Sequence, residues 1–207
     1  MKTLHLFLFV TLLTLLFFSC AKNEYKHEVS GRVTEFGTEK PLEGVQVHIL
    51  DCRISNAYVS CDTAKVLLTD AAGNYSTPFQ SASNGRTPMI GVSFPGYYEH
   101  DNHFIRKQND NEIDFVLDPF AWLHLNVINE APAGELNLIR VAYEHGLGGW
   151  NEFIGENVNI NLNDLVFGGN REGFIIWKIY DEGLLLESHR DTLYIPAHDT
   201  LHYEIRY

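Results

Sequence analysis

Beyond residue 25 the sequence predicts an all-β chain folded as two consecutive β-sandwiches, and three observations predict it. Apolar and polar residues alternate in short runs, the period at which one face of a strand is buried. Clusters of Gly, Asn, Asp and Pro separate these runs at the spacing of sandwich hairpins. No stretch past that point carries a sustained i, i+3, i+4 apolar pattern with caps, so helices are not expected.

In the first half the alternation marks strands at Glu28–Thr34, Val45–Leu50, Met89–Phe94 and Ile113–Leu117. In the second half it marks Leu123–Ile128, Leu138–Tyr143, Val158–Leu162, Phe174–Tyr180, Leu184–Glu187, Thr192–Ile195 and Leu201–Tyr207. Turns fall at Gly37-Thr38, Ala72-Gly73-Asn74, Ser83-Asn84-Gly85, Pro95-Gly96, Gly148-Gly149, Gly168-Gly169-Asn170 and Glu182-Gly183, where Gly and Asn supply the backbone freedom a reversal needs. Pro119 cannot donate to a ladder, so the chain is expected to pass between modules at Asp118-Pro119-Phe120. This gives one sandwich over 28–118 and a second over 119–207, whose strand spacing suggests an immunoglobulin-like type. No sequence repeat relates the two halves.

The first nineteen residues read as a targeting segment. Lys2 supplies the positive start, Leu4–Phe18 is almost wholly apolar, and polarity returns at Ala21-Lys22-Asn23-Glu24. The apolar run is short of the ~20 residues that span a bilayer and has the layout of a signal peptide. The stretch Leu16-Phe17-Phe18-Ser19-Cys20 resembles the lipobox of bacterial lipoproteins, although Phe17 stands where leucine is commonest. The resemblance implies cleavage before Cys20, diacylglycerol on its thiol and acylation of the new amine, with residues 20–27 as a tether. Ala21, rather than Asp, resembles the pattern of lipoproteins sorted to an outer membrane, on its periplasmic or its cell-surface face. An ordinary secretory signal or an uncleaved anchor is the plain alternative.

Without Lys2 the chain carries 14 basic against 27 acidic side chains, a formal charge of −13. Such a body repels phosphate backbones, which argues against nucleic acid as a partner. Cys52 and Cys61 would sit in an oxidising compartment, nine positions apart, and can close a small loop if the chain doubles back. Two free thiols or a metal pair remain the alternatives.

A family resemblance rests on Gly31-Arg32-Val33, Pro41-Leu42-Glu43-Gly44-Val45-Gln46-Val47, Thr69-Asp70-Ala71-Ala72-Gly73-Asn74-Tyr75 and Phe94-Pro95-Gly96-Tyr97. In this order residues 28–118 resemble the carboxypeptidase regulatory-like domain, a transthyretin-like (prealbumin-like) sandwich. Between residues 51 and 66 the chain departs from that pattern, as an insertion bearing both cysteines. The resemblance implies no reaction. It implies a structural, assembly or docking module of the kind found in Bacteroidetes surface proteins.

Catalytic and ligand chemistry is sparsely signalled. His100 and His103, flanked by Glu99 and Asp101, offer imidazole and carboxylate ligands for zinc or copper, or else form a solvated polar loop. Asn109-Asp110-Asn111-Glu112 reads as a turn rather than a calcium loop. No Gly-x-Ser-x-Gly elbow is present, and Gly146-Leu147-Gly148-Gly149 has no following Lys-Ser/Thr for a phosphate cradle. Tyr97, Tyr98 and Trp150 stand outside the strand alternation and could stack on a sugar or a protein surface. The expectation is a non-enzymatic protein without a cofactor, partnered by the bilayer and by an envelope protein, with surface glycan binding as the alternative.

Overall fold

The computed structural model describes residues 25–55, 58–81, 85–106, 109–130, 138–143, 151–155 and 158–207. Every regular element among them is a strand. The first half contains β1 (Tyr25–Glu35), β2 (Gln46–Ile54), β3 (Val59–Leu68), β4 (Asn74–Ser81), β5 (Thr87–Ser93), β6 (His103–Phe104), β7 (Asn111–Glu112) and β8 (Phe115–Leu117). The second contains β9 (Phe120–Ile128), β10 (Leu138–Tyr143), β11 (Asn151–Ile154), β12 (Asn159–Gly168), β13 (Arg171–Asp181), β14 (Leu184–Ile195) and β15 (Thr200–Arg206).

Four sheets pack as two sandwiches. The order β4-β1-β7, with β8 also on β1, lies across one core from β3-β2-β5-β6. Across the other core, β12-β9-β15 lies against β11-β10-β13-β14. The second sandwich repeats the strand order of the first. In each, the first strand pairs antiparallel with the fourth and parallel with the last. In each, the second strand pairs with the third and the fifth, and the fifth with the sixth. The repeat that the sequence hides is thus a repeat of topology.

Period-two patterning fixes which side chains fill each core. Along β9, Ala121, Leu123, Leu125 and Val127 are fully buried, while Trp122, His124 and Asn126 lie on the outer face. They meet Phe167, Ile175, Ile195 and Ile205. In the first core Val29 and Val33 of β1 meet Val47 and Ile49 of β2 and Phe115 of β8. At roughly 25 cal/mol per Å² of apolar area removed from water, these two clusters are the main source of stability.

The motif residues have visible reasons. Asp70 Oδ1 accepts the amides of Ala72 (2.9 Å) and Asn74 (2.8 Å), while Gly73 takes φ 77° to close the turn that returns Tyr75 to the sheet. Gly31 lies where β1 passes the carbonyl of Ile113, and a Cβ there would fall 1.9 Å from that oxygen. Residues 51–66 are largely strand: β2 and β3 run on as one long hairpin through the expected insertion.

Gly31→Ala should therefore cost about 2 kcal/mol or more, because the obstruction is backbone and cannot rotate away. Urea denaturation checks it, and an unchanged midpoint would refute the close approach.

Candidate functional site

Glu35 marks the place where the two sandwiches meet. In β1 the residues Val29, Gly31, Val33 and Glu35 share one parity, so the strand that buries two valines also turns a carboxylate inward at its end, with Glu35 only 6% exposed. A buried carboxylate must be partnered, and this one is. Tyr97 donates its hydroxyl to Oε2 at 2.7 Å, Thr38 to Oε1 at 2.8 Å, and Asn170 donates from Nδ2 to Oε1 at 3.2 Å. His198 Nε2 lies 3.8 Å from Oε2, with its ring edge-on to Tyr97 at 5.1 Å.

Asn170 and His198 come from the second sandwich, in the β12–β13 and β14–β15 turns. Asn170, at φ 56°, also donates to Phe36 O (2.9 Å) and accepts from Ala197 N (2.9 Å). Backbone bonds seal the contact: Phe120 N to Gly96 O, Gly169 N to Pro119 O and His198 N to Phe120 O, all 2.8 Å. Arg171 pairs with Asp118 and lies 4.5 Å over the Phe36 ring. Beside this junction a groove of about 630 Å³ opens between Pro41, Phe94, Tyr97 and His198.

Burial alone would raise the Glu35 pKa, but the hydrogen bonds from Tyr97, Thr38 and Asn170, with His198 nearby, outweigh it and hold the carboxyl below its ordinary value. Tyr97 is pushed above the usual phenol range by burial and by that carboxylate. The groups that could have served as an acid–base pair thus hold the junction together.

The sequence-predicted sites distribute as follows. Tyr97 is buried in the junction, and Tyr98 is half-buried with its ring edge-on to Phe120 at 4.6 Å. Trp150 and Cys20 lie outside the described residues. His100 and His103 stack with centroids 5.5 Å apart, both edge-on to the core ring of Phe115. Among the described residues no three His, Cys, Asp or Glu side chains are grouped to hold a metal ion. Asn111 accepts from Arg106 N at 2.7 Å and donates to Arg106 O and Asn109 O, so the segment expected as a turn is braced by a side chain at Asn109-Asp110 and runs as strand β7 at Asn111–Glu112. Cys52 and Cys61 are register partners on β2 and β3 and form a disulfide, with Cα atoms 4.0 Å apart.

A second polar surface was not foreseen. The outer face of β12-β9-β15 carries a shallow hollow of about 260 Å³ lined by His124, Asn126, Asn161, His202 and Glu204, with Trp122 two positions before His124 on the same face of β9. His124 Nε2 lies 3.2 Å from Asp164, Asn126 donates to Glu204 at 3.1 Å, and the two histidine rings meet edge-on at 4.8 Å. The alternation of β9 was readable, but its outward residues converge with those of β12 and β15 only once strand order is known.

No family model and no curated protein matches the chain. Among solved structures it is similar to the TIE protein of Bacillus anthracis, with a TM-score of 0.36 and 10% identity over 88% of this chain and 34% of that one. A streptococcal ancillary pilin gives 0.37 and 9% over 87% of this chain and 62% of that one. A minor pilin of Streptococcus agalactiae gives 0.36 and 10%, covering 87% and 94%. The chain thus spans about a third of the first of these proteins and somewhat under two thirds of the second.

Because the folded Glu35 titrates below its ordinary value of 4.5, its stabilisation is whole above that pH and is lost as pH falls through the lower folded value. Glu35→Gln should cost about 1–2 kcal/mol at neutral pH and flatten the acid limb of the stability curve. Urea midpoints from pH 7 to 3 check this; parallel curves for both proteins would count against the junction carboxylate.

Proposed function

We propose that the chain is a non-catalytic lipoprotein, anchored in the outer membrane through Cys20, whose stacked sandwiches form a stalk that offers the second sandwich to an envelope partner. The observation that carries this reading is the direction of β1. It begins at Tyr25, five residues past Cys20, and ends at Glu35 in the junction. Five extended residues reach about 17 Å, and the eleven of β1 add about 36 Å. The second sandwich would then stand between about 36 Å and, with the tether fully extended, about 50 Å from the bilayer. Sites that could have hosted acid–base chemistry are spent on holding this arrangement, which supports a structural role.

The unforeseen sheet face favours one further reading, a surface glycan-binding lipoprotein. Trp122 offers a half-buried ring on the same face of β9, and His124, Asn126, Asn161 and Glu204 offer donors and acceptors around the hollow. This adds β9 to the glycan expectation, from which Tyr97 is withdrawn by its burial in the junction.

Metabolic labelling with radioactive palmitate should mark the wild-type protein and leave Cys20→Ser unlabelled; equal labelling of both would end the lipoprotein reading. For the glycan reading, calorimetric titration with soluble oligosaccharides should give binding that Trp122→Ala weakens tenfold or more. Identical titrations for the two proteins would remove it.

A further inference from the structure

The β2–β3 hairpin points back toward the tether. Gln46, at the start of β2, shares a hollow with Ser93, Pro95 and Tyr98, and Tyr98 in turn meets Phe120. That end of β2 therefore lies at the junction, and Ile54 lies at the opposite end of the sandwich, where β1 begins. The register agrees: Tyr25 pairs with Ser81 at the end of β4, and Thr87, just after the β4–β5 turn, pairs with Cys52.

This tip carries exposed apolar side chains, as the β13–β14 hairpin end does with Leu184, Leu185 and Leu186, but of the two it alone lies at the end where β1 begins. Ile54, Tyr58 and Val59 are 47%, 59% and 60% exposed; Ile54 and Val59 are the last register pair, and Tyr58 directly precedes Val59. Arg53 beside them is exposed and has no partner among the described residues. The tip is also held in shape. The cystine joins directly opposed positions, and Ser55 N donates to Tyr58 O at 3.0 Å to close the turn. Single exposed apolar residues need no explanation, but a contiguous set on a braced projection does.

From this geometry we infer that the stapled hairpin tip, with Ile54, Tyr58 and Val59, is a second membrane contact that seats in the headgroup region beside the acyl anchor. The inference rests on the reading of Cys20 as the lipidated residue. An anchor five residues before β1 confines this end of the sandwich to within about 17 Å of the bilayer, so lipid is the surface the tip meets first. The chemistry matches that surface. Aliphatic side chains enter the acyl boundary, a tyrosine ring suits the interface, and an exposed arginine can reach lipid phosphates. The two residues beyond Cys52 extend about 7 Å, comparable with the roughly 5–10 Å depth of interfacial insertion. A flexible single-point tether would leave the stalk free to lie down, whereas two contacts at one end would hold it upright.

The test uses the acylated full chain in vesicles of phosphatidylethanolamine and phosphatidylglycerol. Tyr58→Trp places a fluorophore at the tip, while the described native tryptophans, Trp122 and Trp177, belong to the second sandwich. Replacing the lipids by brominated ones should quench the added emission at least twofold and leave wild-type emission nearly unchanged. Adding Ile54→Asp and Val59→Asp should abolish that quenching while the protein still floats with the vesicles on its acyl chains, with near-ultraviolet circular dichroism reporting that the fold is kept. Flotation without quenching in Tyr58→Trp would overturn the hairpin contact and leave the anchor standing. Failure to float, together with absence of palmitate label, would bring down the anchor and this inference with it.

Discussion

One buried carboxylate decides how the molecule is put together. Glu35 sits at the end of an otherwise apolar strand face, where an ion without partners would be expensive to bury. Its partners come from the turn after β1, the Pro95-Gly96-Tyr97 turn and, 135 positions along the chain, the turn at Asn170. Asn170 and His198 reach the carboxylate only with the second sandwich seated as it is on the first. The end-to-end stacking and the use of Tyr97 both meet that requirement. An apolar residue at this position would give a more forgiving contact and a less defined angle.

The outer strands carry a second constraint, against open-ended pairing. β3, β12 and β14 each bear a bulge opposite their neighbour, and β4 carries Pro78. Lys65 of β3 reaches inward to Thr77, and on β14 His189 stacks on Trp177 while Asp191 receives Tyr203. Bulges, prolines and inward-pointing charges are the devices by which sheets discourage another strand from adding to an edge. Recognition by this chain is therefore better sought at its faces and hairpin tips than along its edges.

Where the sequence was legible, burial was one-sided. Val45–Leu50, Leu123–Ile128 and Phe174–Tyr180 alternate because one face of each lies on a core, while Pro119, expected to stand outside any ladder, bridges Tyr97 between β8 and β9. Misreadings have equally physical causes. β3 is exposed along nearly all its length, so no period survives and the segment looked like an insertion. Bulges shift the phase in β12 and β14; Leu184–Ile195 is a single strand where the pattern suggested two short ones, and β12 runs past Leu162 to Gly168. Glu35 carried a usable signal, since it continues the parity of Val29 and Val33. Asn170 and His198 carried none, because their importance comes from a partner far away in the chain.

In both sandwiches the first strand lies beside and parallel to the last, so the chain enters each unit at one end and leaves it at the other. A pull between the two ends of the chain would run along those strands. β9 and β15 share seven paired positions from Thr200 with Trp122 to Arg206 with Ile128, and such a ladder would carry tension in shear, with its bonds strained together instead of peeled one by one. Mechanical toughness along one axis is thus a by-product of a strand order that also lets two units join through the short Asp118-Pro119 connector.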